Sequence, residues 1–257
     1  MTRLAASLAA LTAAVLATAP LGAQEPATAP GIVAPEPATD SAAPFGPVDG
    51  NLLRAGASSY RLTLLRSAGP SDLGTRTVEV SEASLGGTPT WLVVERRSGS
   101  AVATVDSLWL SRLDLAPLRW VASVGRTQLA ASFGRDSIFG GVQSYAGRSS
   151  FTAGVLPGVL VTAGMTEKIL ELLPLRVGYR AGASLLLVDT GTPRALPAEL
   201  AVEREERIRT SGGEVDCWVV HLRAGALEEW LWVDKSRRTV VRTEQTSAVG
   251  RIVAERV

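Results

Sequence analysis

The chain has 257 residues, a formal net charge of +1, and 26 basic residues against 25 acidic ones. This balance excludes the surplus of lysine and arginine with which nucleic-acid-binding proteins neutralise phosphates. The single cysteine, Cys217, excludes an intramolecular disulfide, so a hydrophobic core must hold the fold, and 46% apolar residues are enough to build one.

The first residues have the pattern of a secretory signal peptide. Arg3 supplies one positive charge, and an uncharged run extends from Leu4 to Ala19. That run is too short and too rich in alanine for a comfortable membrane span, and Pro20 interrupts it. We therefore expect residues 1–23 to be cleaved off after Ala23, and the protein to be exported to the periplasm or the extracellular space.

Residues 24–50 are rich in Pro, Ala and Thr and lack periodicity, which predicts a disordered or extended tether. Residues 51–257 contain short alternating apolar runs separated by Gly, Pro and Asp, which is typical of antiparallel strands. About a dozen such runs, from "SSYRLTLLR" to "RIVAERV", predict one mainly β domain with a large curved antiparallel sheet, a half-barrel. The charged "AELAVEREERIR" is assigned to a strand with a solvated face, because a hairpin-like "TSGGEVD" follows it.

One segment, "LPGVLVTAGMTEKILELLPLRVG", interrupts the β pattern. The residues at helical spacing are Thr166, Ile169, Leu170 and Leu173. A threonine stands where an N-cap could form, and Pro174 would end the helix. We expect this one helix to cover the sheet, an arrangement that can enclose an apolar cavity.

The sequence offers little for enzyme chemistry. His221 is the only histidine, and the chain has neither a nucleophile elbow nor a Ser-x-x-Lys motif for Ser-His-Asp or related hydrolysis. One histidine and one cysteine cannot supply the ligands of a structural zinc site, and calcium-loop and nucleotide fingerprints are missing. We therefore expect a non-enzymatic protein with no cofactor and no metal.

The fragment "LLLVDTGTP" resembles the active-site loop of aspartic proteases, in which two carboxylates share a proton. Asp189 would be the required residue, and a chain with one such loop would have to dimerise. The resemblance ends after a few residues, and Asp-Thr-Gly is also good turn chemistry, so we expect Asp189 to be a turn residue. An aspartic-type protease remains a minor alternative.

An outer-membrane β-barrel is another minor alternative, since a signal peptide and about a dozen strands suit one. Such a barrel needs an uncharged outer band, whereas "VEREERIR" and "VVERR" place charges on both strand faces. The final "AERV" also lacks an aromatic end residue.

The hairpin "EEWLWVDKSRRTVVRTE" carries two tryptophans on one strand face. Trp230 and Trp232 point to one side and Leu231 points to the other, so the strand is expected to be covered on both sides. The two tryptophans are predicted to close part of an apolar concavity that faces the helix. Together with Ile169 and Leu173 of the helix they are the predicted ligand-binding residues. An ordinary core hairpin is the alternative interpretation.

The stretch "GGEVDCWVVHLRAGALEEWLWVDKSRRTVVRTE" and the upstream "VDSLWLSRLDLAPLRWVAS" carry a family resemblance. They resemble secreted bacterial proteins of unknown function that are related to the periplasmic lipoprotein carrier and outer-membrane lipoprotein-sorting superfamily. The similarity extends from about Arg61 to Glu244. It implies a curved antiparallel half-barrel with an apolar concave face under helical cover, where the carriers hold acyl chains. It brings no catalytic residues, and this chain lacks the lipobox of the membrane-anchored members.

These patterns predict a non-enzymatic exported protein that binds an apolar ligand, an acyl chain or a lipoprotein segment, in the concave sheet. A structural or interaction module of the cell envelope without a ligand is the main alternative. Lipid or a lipoprotein is the expected partner, nucleic acid is excluded, and membrane contact is expected to be peripheral at most.

Overall fold

The computed structural model describes residues 43–257 except positions 47, 100–102, 155–157, 162, 190–191 and 248. Within these residues, fifteen strands and one α-helix, α1 (Ala163–Leu170), are present. The strands are β1 (Gly56–Arg66), β2 (Gly69–Leu85), β3 (Thr88–Ser98), β4 (Thr104–Ser111), β5 (Pro117–Val124), β6 (Thr127–Phe133), β7 (Ser137–Ser144), β8 (Gly147–Gly154), β9 (Val159–Leu160), β10 (Arg180–Asp189), β11 (Thr192–Thr210), β12 (Gly213–Ala224), β13 (Leu227–Asp234), β14 (Val240–Ser247) and β15 (Gly250–Arg256). The predicted signal peptide and residues 24–42 of the predicted tether lie outside the described part of the chain.

All fifteen strands belong to one open curved sheet in the order β8-β7-β6-β5-β4-β3-β2-β1-β15-β14-β13-β12-β11-β10-β9. Two antiparallel meanders are joined where the first strand pairs with the last, with Tyr60 opposite Arg256. Only the short β9 runs parallel to its neighbour, β10. The predicted fold class, a mainly β curved sheet covered by one helix, is confirmed.

The sheet curves around a single large core. In β4, buried residues alternate with less buried ones along the whole strand, so one face points inward. The register shifts by one residue in the pairs β1–β2, β4–β5, β11–β12 and β13–β14, and the extra residue lies in β2, β5, β11 and β14 respectively. Such bulges bend their strands and help the sheet to curve. The largest fully buried side chains on the inner face include Tyr60, Trp120 and Leu108.

Helix α1 covers the inner face next to β3 and β9. It ends at Leu170, before Pro174, and the N–H groups of Leu172 and Leu173 then both bond to the carbonyl oxygen of Ile169. Ile169 and Leu173 are buried in the main core. The predicted helix is confirmed, although Leu173 lies in the turn that follows it.

The predicted tether is too long at its C-terminal end. Residues 43–46 and 48–50 pack onto the domain: the Phe45 N–H donates to the carbonyl oxygen of Gly182 at 3.1 Å, and Val48 is buried in the main core. The Trp91 indole N–H donates to the carbonyl oxygen of Gly50 at 2.9 Å. The domain therefore begins before residue 51, because two apolar side chains within the Pro/Ala-rich stretch find places in the core.

Strand β8 is absent from the sequence-based prediction. Its residues "GRSSFTAG" are mostly exposed and lack apolar alternation, since it is an edge strand that pairs along only one side. The charged segment assigned to a strand is confirmed as part of β11.

Candidate functional site

A cavity of about 300 Å³ opens where the β4–β5 and β6–β7 turns meet α1 and β9. Its apolar lining consists of Phe45, Val48, Leu115, Ala116, Pro117, Phe133, Val159, Met165 and Ile169. The charged residues of the lining are Asp114 and Arg135. Most of the lining residues are therefore apolar, while polar atoms contribute nearly half of the exposed lining surface. Apolar side chains combined with a few placed polar groups are typical of small-molecule sites.

The walls of this cavity are held by local structure. Met165 and Ile169 lie four residues apart on α1, so they share one face of the helix. Leu115 is a non-glycine residue with a φ of 56°, and its N–H bonds to the carbonyl oxygen of Ser111 at 3.1 Å. A leucine in this left-handed conformation is strained and is kept there by its surroundings. Its buried side chain is thereby directed to the cavity wall.

The structure does not bring the four predicted ligand-binding residues together. Ile169 lines the cavity and Leu173 is buried in the main core, but Leu173 is not among the lining residues. Leu231 also belongs to the main core, whereas Trp232 and Trp230 belong to a separate cluster on the other face of β13. The expectation that the tryptophans face the helix is wrong. Alternation along the strand was assigned correctly, but the inward face is that of Leu231.

The tryptophans form an apolar cluster on the outer face of the sheet. The cluster contains Ile208, Cys217, Val219, Trp232 and Val241, with Val215 and Trp230 packed against it. Trp230 stacks on His221 with ring centroids 3.9 Å apart, and Arg204 lies 5.4 Å from the Trp230 ring centroid. Arg242 lies over Trp232 at 5.2 Å. Arginine side chains thus cover the aromatic rings and replace a second layer of structure.

His221 is placed as a strand residue on this outer face. Its Nδ1 accepts a hydrogen bond from Arg223 Nε at 3.0 Å, and the residue is 3% exposed. Burial, and then the charge of Arg223, lower the pKa of His221. These contacts keep the imidazole neutral and packed.

A group of charged side chains that the sequence interpretation missed lies inside the half-barrel. Arg76 Nη1 donates to Glu167 Oε1 at 2.6 Å, and Arg76 Nε lies 3.2 Å from Glu95 Oε1. Arg97 Nη2 lies 2.6 Å from Glu95 Oε1, and the Tyr60 hydroxyl lies 3.0 Å from Glu167 Oε2. We call these five residues the buried ion network. It connects β1, β2 and β3 to α1.

Burial disfavours the charged forms in this network, but the ion pairs outweigh it. Arg76 and Arg97 hold the pKa of Glu95 at about 2 despite the opposing effect of burial. Burial, and then the nearby charge of Glu167, raise the pKa of Tyr60 well above its usual value. Glu95 and Arg76 are therefore ionised, and Tyr60 is neutral, throughout the physiological pH range.

Two further buried carboxyl groups lie beside the network. Asp106 of β4 is opposite Glu95 in the strand register and accepts a hydrogen bond from Trp120 Nε1 at 3.1 Å. Burial, and then the charge of Glu95, raise its pKa to about 7. Burial likewise raises the pKa of Glu229 of β13 to about 7, although Arg76 favours its ionised form. Both groups therefore titrate near neutral pH.

The sequence contains a signal for these buried charges. Arg76 is in phase with the inward-facing Val78 and Val80 of β2, and Glu95 is in phase with Trp91 and Val93 of β3. A charged residue can stand where the alternation of a strand calls for an inward-facing apolar one. Its side chain is then either buried with the other inward-facing side chains, or it marks the position where the buried part of the strand ends. Sequence alone cannot decide between these two outcomes, because the partner across the sheet is unknown.

Asp189 is the last residue of β10 and is in register with Thr192 of β11. This position suits a hairpin end. Among the described residues, no group of three or more His, Cys, Asp or Glu could hold a metal ion. No helix in the described ranges has the length and hydrophobicity needed to cross a membrane.

The sheet, its helix and the end cavity define a barrel-like β domain. Residues 59–257 match the family described as protein of unknown function (DUF3108), and the chain belongs to this family. No curated protein matches the sequence.

Two solved structures show a distant likeness. The beta-barrel-like protein of domain of unknown function DUF1849 from Brucella abortus has 11% identity and a TM-score of 0.49, over 80% of this chain and 97% of that one. The hypothetical lipoprotein YmcC from Escherichia coli (K12) has 14% identity and a TM-score of 0.32, over 85% and 89% of the two chains. These values are too low to carry a functional argument.

Proposed function

We propose that the protein is a non-enzymatic, exported protein of the cell envelope that binds an acyl chain or an apolar lipoprotein segment. The cavity beside α1 is the binding site, and its apolar lining is the observation that carries the proposal. The signal-peptide pattern of residues 1–23 supports export. The sequence resemblance to the lipoprotein carriers supports an acyl ligand.

The size of the cavity favours a small apolar group. Its volume of about 300 Å³ lies at the lower end of the range for ligand sites, so a single chain fits better than a lipid with several chains. Arg135 at the cavity has no ion pair within the described residues, whereas Asp114 accepts the N–H of Ala116 at 3.2 Å. An anionic head group on Arg135, with its chain against Met165 and Ile169, would use both parts of the lining.

Displacement of the fluorescent probe N-phenylnaphthylamine by dodecanoate tests the proposal. The wild-type protein should release the probe saturably. Val159→Trp should weaken dodecanoate binding at least about tenfold, because the indole fills a cavity at the small end of the ligand-site range. Val105→Trp is the matched control, since Val105 is an exposed residue of β4 outside the cavity lining.

Equal binding by the two tryptophan variants, with both folds intact by circular dichroism, would place the ligand elsewhere. A wild-type protein that is folded but shows no saturable binding would contradict the proposal.

The packing of the sheet interior favours a second candidate, a structural or interaction module without a ligand. Tyr60, Leu108 and Trp120 are at most 2% exposed, so packed side chains occupy the middle of the half-barrel. The cavity lies at one end of this packed core. Absence of binding by the folded wild-type protein would favour this candidate.

A further inference from the structure

Hydrogen bonds from three strands fix α1 to the sheet. Glu95 Oε2 on β3 accepts the N–H of Gly164 at 2.9 Å. Glu167 is bound by Arg76 of β2 at 2.6 Å and lies 3.0 Å from the Tyr60 hydroxyl of β1. Because Glu167 and Glu95 are at most 1% exposed, water does not compete for these contacts. The position of the helix therefore depends on the charges around these two carboxylates.

The same helix forms part of the proposed binding site, since Met165 and Ile169 line the cavity. Glu167 lies between them in the sequence and is bound on the sheet side. A shift of α1 away from the sheet would change the cavity wall. The inference below rests on the proposed function in this respect.

Among the described residues, the buried ion network and its immediate neighbours contain more carboxyl groups than cations. The four carboxyl groups are Glu95, Glu167, Asp106 and Glu229, and the two guanidinium groups are Arg76 and Arg97. Asp106 is hydrogen-bonded to a neutral indole, and Glu229 lies opposite the neutral Gln245 in the strand register. Two of the four carboxyl groups thus have no cation of their own.

The other charged groups around α1 do not supply a cation to Asp106 or Glu229. Lys168 is paired with Glu171 on the same helix at 2.8 Å. The charge of Arg256 on β15 acts on Tyr60 and Glu171. Neither cation appears among the groups that act on Asp106 or Glu229.

We propose that Asp106 and Glu229 form a pH-sensitive latch that holds α1 against the sheet when both are protonated and loosens it when both ionise. In the protonated state, two guanidinium charges balance the carboxylates of Glu95 and Glu167. In the ionised state, four carboxylates share the same two cations in a low-dielectric interior. Asp106 then repels Glu95, and Glu229 repels Glu167, the two groups that hold the helix.

The pH range of the latch follows from burial. The pKa values of Asp106 and Glu229 are both raised to about 7, so the change in charge falls near neutral pH. At a pH below that range, α1 should be held more firmly against the sheet. At a pH above it, the part of the cavity wall that α1 forms should become more mobile. The proposed ligand would be held more firmly on the acidic side.

Hydrogen exchange of the α1 amides in the full mature chain tests the latch without any ligand. After correction for intrinsic exchange, protection of residues 164–171 should fall about tenfold or more between about pH 5.5 and about pH 8.5. The double variant Asp106→Asn, Glu229→Gln mimics the protonated state and should stay protected at both pH values. The control variant Glu228→Gln, Asp136→Asn changes two exposed acids and should behave like the wild-type protein.

Equal α1 protection of the wild-type protein at both pH values would overturn the latch, as would an unchanged pH dependence in the double variant. The wild-type measurement decides the question even if a variant fails to fold. Binding of uncharged N-phenylnaphthylamine at the same two pH values is the second readout, and it should weaken at the higher pH. Loss of probe binding at both values, with a pH-dependent helix, would refute the proposed function but keep the latch.

Discussion

Asp106 and Glu229 make the stability of the protein depend on pH. Their folded-state pKa values of about 7 lie above the unfolded values, so folding takes up protons. The free energy of unfolding should therefore fall as pH rises from about 4 to about 7, by a few kcal/mol for each group, and then level off. Urea unfolding at several pH values measures this slope.

Replacing the two acids by their neutral amides should remove most of that slope. Glu95 acts in the opposite sense, since its pKa of about 2 means that its stabilisation is lost as pH falls below about 4.5. A maximum of stability at about pH 4 to 5 is expected from the two effects. Stability that rises steadily from that range to about pH 8 would disagree with the assigned protonation states.

Arg76 should be much more important for stability than an exposed arginine of the neighbouring strand. Arg76→Leu leaves Glu95 and Glu167 buried with a counter-charge removed, which typically costs about 3 to 5 kcal/mol. Arg96→Leu breaks an ion pair with Glu79 whose two side chains are both 51% exposed, and should cost about 1 kcal/mol or less. Similar midpoints for both variants in urea unfolding would show that the buried network does not stabilise the fold.

Trp232 is expected to stabilise the outer face without contributing to the proposed ligand site. Its side chain is 6% exposed within the outer cluster, so Trp232→Ala should cost about 3 to 5 kcal/mol. Probe displacement by dodecanoate should be unchanged under conditions where the variant is folded. A clear loss of affinity in the folded variant would instead support the earlier interpretation of the tryptophans as ligand-binding residues.

A close approach of two backbones fixes the end of the β2–β3 pair. Gly74 has a φ of 102°, and an added Cβ would clash with the carbonyl oxygen of Ser98. Gly69 has a similar φ of 111°, but no atom lies within 4 Å of an added Cβ. Gly74→Ala should therefore destabilise the protein by about 1 to 3 kcal/mol more than Gly69→Ala, which shares the backbone strain but not the clash.

Thermal unfolding of the two alanine variants provides the comparison. Equal melting temperatures of the two variants would show that the β2 and β3 backbones move apart to admit a Cβ at position 74 without destabilising the fold.

Most strands and the helix are predictable from sequence because they are local patterns. Alternation in "TVDSLWLS" gives β4 with its inward Leu108 and Leu110, and the helical spacing of Ile169 and Leu170 gives α1. The polar edge strand β8 lacks such a pattern, since its partner on one side supplies the stabilisation. Phe45 and Val48 fall within the predicted tether because isolated apolar residues carry no periodicity that would indicate a packed element.

Which face of a strand turns inward depends on contacts that are distant in sequence. Both faces of β13 carry apolar residues. The large aromatic rings of Trp230 and Trp232 therefore favour the prediction that their face is the one that points inward. The sheet instead directs Leu231 and Val233 into the main core, and arginines cover the tryptophans. The buried ion network escaped prediction for a related reason, because Arg76 and Glu167 are 91 residues apart.

The whole molecule is a packed half-barrel with its apolar cavity at one end, and the buried ion network lies between its helix and its sheet. Packed side chains fill the middle of the sheet, whereas α1 is held to it by a few charged contacts and its own apolar residues. We therefore expect the proposed ligand and the proposed pH response to act on the helix rather than on the sheet.

Crosslinking with dodecanoate that carries a photoreactive diazirine at its chain end, followed by peptide mapping, tests the proposed binding site most directly. We predict saturable labelling of the segments that contain Phe45, Val159, Met165 and Ile169, with competition by unmodified dodecanoate. Label on the strand of Trp230 and Trp232, or label that excess dodecanoate does not reduce, would contradict an acyl-binding cavity beside α1.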